Sequence, residues 1–333
     1  VPDSPRLPPE RVGAATLSGL RYISYSTAMR AVILRSFLYC AGGASIVGLM
    51  PLISKELLGG TALSFGILLA SFGVGAVIGA IVIKRIRAIL TDRWHAEAAA
   101  AATGACIIVL ALSRSMVLST ATLLIAGIAW TQLLTSLNIA VQTGAPRWVA
   151  GRSLAAFQAT AAGGFAIGSA IWGNLAQHYG LSTTLLLSGA VLFVLAVWGR
   201  FVKGASDIPD PSDARFRPAD PDVQLALSGR SGPIIVELEY LIADRDAREF
   251  YDLMLEASRI RHRNGGFGWS LGRDISDSQR WIERFHCPTW HDYLRQRTRL
   301  TTGEFELLCK IRGKMIDDAE PVVRRILDRP VGS

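Results

Sequence analysis

Few residues in the apolar part of this chain could do chemistry, and all but one of them are neutral. Gln132, Asn138, Gln142, Gln158 and Asn174 sit inside long apolar runs, and Arg35 lies near the start of the first. In hydrocarbon such groups face a bundle interior or a water-filled cavity. Gln132, Asn138 and Gln158 are therefore expected to line a path, or else to tie helices together through interhelical hydrogen bonds worth about 1 kcal/mol or less each. Gln142 and Asn174 lie nearer span ends, where packing is the simpler role. Arg35 is about one turn from a membrane surface. It is expected to snorkel there as an anchor, with contact to a passing molecule as the alternative. No Asp or Glu is expected within the spans, so a proton-loading carboxylate would have to come from elsewhere.

A second set lies near the C-terminus. Arg261, His262, Arg263 and Asn264 form a polar run, with Trp269, His286 and His291 downstream. Such a cluster invites a catalytic reading. However, His286 falls in an expected strand and His291 in an expected helix, and arginine-rich turns are usually solvated. The expected outcome is a non-catalytic domain that dimerises or regulates. Cys40, Cys106, Cys287 and Cys309 show no metal-ligand spacing and read as reduced thiols. Neither a metal nor a cofactor is expected.

The elements that position these residues follow from composition. Half of the 333 residues are hydrophobic, and mean hydropathy is +0.32, so membrane spans are expected. Residues 1–203 carry 15 Lys/Arg against 5 Asp/Glu, whereas residues 204–333 carry 20 against 22. The basic excess thus belongs to the apolar part and is no nucleic-acid footprint. Six runs can each cross about 30 Å of hydrocarbon: Ala31–Ile53, Thr61–Ile83, Ala96–Leu112, Met116–Val141, Leu154–Leu175 and Leu181–Phe201. Backbone pairing in lipid makes them helices. Gly75/Gly79 and Gly164/Gly168 are four apart, so each pair gives a helix face that a neighbouring backbone can approach.

Loop charge sets orientation. Lys84, Arg85, Arg87, Arg93, Arg147, Arg152, Arg200 and Lys203 all follow even-numbered spans, and Arg21 and Arg30 precede the first. By the positive-inside rule both ends are cytoplasmic and the host is a plasma (inner) membrane. Residues 1–30 read as a linker with an interfacial helix. Residues 31–203 read as the six-helix domain. Residues 204–230, with four prolines and five aspartates, read as a flexible linker.

From Pro233 the period changes. Ile234, Val236, Leu238, Tyr240 and Ile242 alternate as a strand. Asp244 is expected to cap a helix running to about Arg261, striped by Phe250, Leu253, Ala257 and Ile260. A turn at Asn264–Gly266 leads to a second strand with Phe267, Trp269 and Leu271, then a third at Trp281–Cys287. Thr289 caps a helix, a further helix covers Thr302–Asp317, and Pro321–Leu327 forms a last strand. The order β-α-β-β-α-α-β predicts a small α+β ferredoxin-like domain over 231–333.

The stretches VQTGAPRWVAGRSLAAFQ and GSAIWGNLAQHYG, with the lead-in LSGLRYISYSTAMRAVILRSF, resemble the C-terminal half of a major facilitator superfamily transporter. The subfamily is that of drug and siderophore exporters, or transmembrane secretion effectors, which includes the enterobactin exporter. The superfamily's charged loop motif is only loosely echoed, from Gly79 to Arg93 with Asp92. The resemblance implies a secondary transporter that exports a small organic molecule by alternating access, working in the lipid bilayer with an N-terminal six-helix half that this chain lacks. It makes the fourth and fifth spans cavity-lining. A truncated, non-functional product is one alternative. VELEYLIADRDAREFYDLM, the Gly266–Arg273 strand, WIERFHCPTWHDYLRQ and RRIL resemble the antibiotic biosynthesis monooxygenase family. That implies homodimerisation through the soluble domain and, as the rival reading, a membrane-tethered cofactor-free monooxygenase.

Overall fold

Runs of Leu, Ile, Val and Ala longer than 18 residues satisfy their own backbone only as helices, and helices are what they form. The computed structural model describes residues 12–89, 92–199, 201, 223–316 and 320–328. The chain divides into two compact units. One comprises Ala28–Gly144 and Ser153–Ile208. The other comprises Val1–Thr27, Ala145–Arg152 and Pro209–Ser333.

Among the described residues, six helical stretches are long and apolar enough to cross a membrane. The first is segmented into α2 (Thr27–Gly43), α3 (Ser45–Gly48), α4 (Met50–Leu52) and a π-helical turn, Ile53–Leu57; α1 (Val12–Tyr25) precedes it. Pro51 sits at the start of α4. Its missing N–H interrupts the hydrogen-bond ladder where α3 gives way to α4. The other spans are α5 (Ala62–Ile89), α6 (Asp92–Leu112), α7 (Met116–Gly144), α8 (Ala150–Tyr179) and α9 (Leu181–Gly199).

Small residues decide which helices touch. A Cβ on Gly75 would collide with the Leu124 carbonyl, and one on Gly79 would sit 3.0 Å from Ile128 O, so α5 and α7 meet backbone to backbone. Gly164 and Gly168 lie in the same way against Phe37 and Ala41 of α2. The Trp172 indole clasps this contact by donating to Ala41 O at 2.7 Å. On the opposite side of α2, Ser188 of α9 donates to Gly42 O at 2.9 Å. Gly104 and Gly189 bring α6 against α9. Leu63, Val77, Ile81, Val117 and Val194 point outward, each more than 60% exposed, the signature of helices apolar on all sides.

In the second unit, β1 (Ile234–Leu241), β2 (Phe267–Arg273), β3 (Arg280–Cys287) and β4 (Val322–Leu327) form an antiparallel sheet in the order β2-β3-β1-β4. Helices α10 (Ala247–Arg263), α11 (Trp290–Thr298) and α12 (Thr302–Arg312) complete it. Alternation along β1 buries Ile234, Val236 and Tyr240, which pack with Phe250, Met254, Phe285 and Tyr293. Two local expectations are corrected. Asp244 does not cap α10, because its carboxylate is taken by Arg273 and a 3-10 turn, Asp244–Asp246, intervenes. The last helix stops at Arg312 rather than Asp317, with Gly313 at its C-cap; its start is fixed by a Thr301–Glu304 capping box. Gly268, at φ +58°, supplies the bulge that shifts register between β2 and β3.

Helix α1 packs on α10. Its Tyr22 is 3% exposed, meets Trp148 edge-on at 5.7 Å and carries the Arg263 guanidinium 5.6 Å above its ring. Trp148 is covered from its other neighbour by Arg299 at 4.1 Å. Of the linker expected over 204–230, residues 204–222 lie outside the described residues.

Candidate functional site

In the helical unit, α2, α7 and α8 line an open cavity of about 420 Å³. Cys40 comes from α2, and Trp130, Leu134, Thr135 and Asn138 from α7. Phe157, Gln158, Ala161, Ala162 and Phe165 come from α8. The volume lies in the range of small-molecule sites, about 300–1,000 Å³. The lining is aromatic and aliphatic with isolated amides, and Cys40 is its one titratable side chain.

The structure brings two of the four path candidates together. Asn138 and Gln158 face the same cavity. Asn138 Oδ1 accepts from Gln142 one turn on, and Gln158 has no hydrogen-bond partner among the described residues. Gln132 lies elsewhere. It is 3% exposed, and its Nε2 donates to Gly79 O at 2.7 Å, bridging α7 to α5 at the close-packed glycine. Trp130 was not singled out by the sequence reading. It sits at the middle of α7, away from the interfacial belts where Trp is ordinarily found, which was the available signal. Gly43 leaves room for its ring.

Arg35 does not snorkel. It is 5% exposed and pairs with Glu97 of α6, lying 5.9 Å from the Tyr39 ring centre. The expectation that the spans hold no carboxylate is therefore wrong: Glu97, 6% exposed, lies in α6, and His95, 2% exposed, lies two residues before it. The Ala-rich run after Glu97 hid the turn containing both. Gly199 closes the cluster, since a side chain there would strike Tyr39, Arg35 and Glu97.

In the α+β unit the expected polar residues do not form one cleft: Arg261 and Trp269 meet at Glu283, and Arg263 and Asn264 at Glu304. Trp269 Nε1 donates to Glu283 at 3.0 Å. Asn264 donates to Glu304. His262 stacks on Tyr25. His286, on the opposite sheet face from Glu283, stacks on Phe267. The group that does gather partners, Glu283, was missed. It shares the inward file of β3 with Trp281, Phe285 and Cys287, so strand alternation alone places it inside. It is fully buried. It accepts from Arg261 Nε at 2.9 Å, Arg261 Nη2 at 3.1 Å and Tyr240 Oη at 2.9 Å. Burial pushes its carboxyl up, but the Arg261 charge and these donors outweigh that and hold it below the usual value. Burial and the Glu283 charge push the Tyr240 phenol well up, and burial drives the Cys287 thiol up to about 12. Every strong group is tied up: the cluster is a buried strut without a free acid, base or nucleophile.

No match to a curated protein was found. The family model for transmembrane secretion effectors matches residues 2–331, so one family description runs through both the helical and the α+β parts. A membrane transporter of this kind moves its substrate and leaves its bonds intact. Six candidate spans and a nearly end-to-end match together place the chain in the transmembrane secretion effector family, membrane transporters of the major facilitator superfamily.

Proposed function

We propose that the chain exports a small, largely apolar organic molecule with aromatic surface, of the drug or siderophore kind, along a path that includes the cavity between α2, α7 and α8. The observation that carries this is the meeting of Asn138 and Gln158 among Trp130, Phe157 and Phe165. Polar groups in hydrocarbon are costly unless they serve each other or a ligand, and Gln158 serves no protein partner among the described residues. Arg35 and Gln132 then act as struts of the bundle rather than as substrate contacts. The six helices serve as one half of a transporter whose second half completes the cavity, with alternating access arising from one half rocking on the other. Loop charge favours cytoplasmic ends in an inner membrane. The sheet order and β-α-β-β-α-α-β succession favour a ferredoxin-like domain related to the monooxygenase family by fold, able to self-associate through its helix-free face.

The test is accumulation of fluorescent dyes and of a catecholate siderophore in cells lacking their own pumps and expressing the protein as its gene encodes it. Lower accumulation, restored by Gln158→Leu together with Trp130→Ala at unchanged membrane abundance, is the expected result. Accumulation that no member of the panel alters removes the basis for export.

A further inference from the structure

We propose that the α+β unit binds an amphipathic carboxylate, an apolar body bearing a single carboxylate group, in a cavity between its sheet and the α11–α12 layer. The site is separate from the cavity among the spans, and its test does not depend on transport. The cavity measures about 480 Å³, again the size of a small-ligand site. Its floor is apolar, with Leu238 and Val323 from the sheet and Leu300 and Leu308 from the helical layer. Around this floor stand Arg297, Arg312 and Arg325. An apolar floor under a guanidinium rim suits an anion with a greasy body. It does not suit a polyphosphate, which would leave the floor wet.

Three further observations point to a ligand. Arg312 is already held by a carboxylate at the cavity edge, Glu320, at 3.4 Å; that carboxylate is 79% exposed and free to be displaced. Arg325 Nε donates to Tyr293 Oη at 2.6 Å, and its guanidinium lies 5.8 Å from the Tyr293 ring centre. Among the described residues no carboxylate pairs with it, and it lines the cavity, so its remaining N–H donors are available to take a ligand carboxylate edge-on. Gln296 lines the cavity and is 4% exposed. Its Oε1 accepts the Cys287 thiol, but its Nε2 has no acceptor. An unmet buried donor costs about 1–3 kcal/mol, and a ligand oxygen would satisfy it. Arg261 also borders the cavity but is neutralised by Glu283, so it contributes floor rather than charge.

The experiment uses the full chain in phosphatidylcholine nanodiscs and equilibrium dialysis against protein-free discs. The probes are 4-phenylbutyrate, for a free aryl acid, and decanoate, for a lipid-derived one, each beside its neutral amide. Saturable binding of either acid at about one per chain is expected, about tenfold or more tighter than its amide, the worth of one charge-assisted hydrogen bond. Arg325→Gln should weaken it by about the same factor, and Leu308→Trp, which fills the floor, should abolish it. Because Arg325 is exposed, its variant keeps the fold, which an unchanged thermal transition would verify even if Leu308→Trp does not fold. No saturable binding of either acid, equal binding of acid and amide, or binding unaffected by Arg325→Gln would each overturn the proposal.

Discussion

Removing one member of the Arg35–Glu97 pair should cost far more than removing both. Arg35 is 5% and Glu97 6% exposed, and the pair lies in a bundle of apolar helices. Truncating Arg35 to Met strands a buried carboxylate; changing Glu97 to Leu strands a buried guanidinium. Either step costs about 3–5 kcal/mol, whereas replacing both by apolar groups of similar volume is neutral or stabilising by about 1–4 kcal/mol. At about 2–4 °C per kcal/mol for a unit of this size, each single variant should melt about 6–20 °C below the parent. The double variant Arg35→Met/Glu97→Leu should melt at or above the parent. Buried cysteines provide the assay. In a Cys287→Ser/Cys309→Ser background the remaining thiols, Cys40 and Cys106, are 2% and 7% exposed, so a maleimide fluorophore added during heating reports opening of the helical unit alone. Single variants within about 2 °C of the parent, or a double variant that loses the sum of the two singles, would refute the reasoning.

Further outcomes follow from the same geometry. Gly168→Leu places a side chain into the Ala41 backbone. It should cost about 1–3 kcal/mol or more and separate α2 from α8, read as earlier labelling of Cys40 in the same heating assay. Glu283→Gln leaves Arg261 buried without a counter-charge and should lower stability at pH 7 by about 3–5 kcal/mol. The wild-type Glu283 carboxyl sits below its ordinary value of 4.5. Its contribution is therefore fully present above about pH 4.5 and is lost as pH falls from there through the lowered folded value. Unfolding followed by tryptophan fluorescence at stepped pH should show that slope in the wild type and a shallower one in the variant. Asn138→Leu and Gln158→Leu should change export of the dye and siderophore panel while leaving the melting temperature within about 2 °C, since neither side chain bridges two helices.

The helical class was legible because hydropathy and length are local properties: a run such as Ala62–Ile89 has no other way to pair its backbone in lipid. The first strand of the α+β unit was legible for a similar reason, since Ile234, Val236 and Tyr240 alternate in a file that a half-buried strand produces. The glycine spacings at 75/79 and 164/168 announced close faces without naming what would press on them. Helix ends read less well. Asp244 has the composition of a cap, but Arg273, 29 residues away, competes for its carboxylate.

The site residues divide along the same line. By itself the sequence determined that Asn138, Gln158, Gln132 and Arg35 were unusual, because an amide or guanidinium in an apolar run is costly wherever it points. Only the tertiary structure decided what offsets the cost. Gln132 finds the Gly79 carbonyl because α5 and α7 touch there, and Arg35 finds Glu97, 62 positions on, because α2 and α6 are neighbours in the same unit. Asn138 and Gln158 share a cavity because α7 and α8 pack beside α2 and leave a gap. Periodicity gives each helix its faces, but partners far apart in the chain are chosen by packing, and packing is a property of the whole bundle.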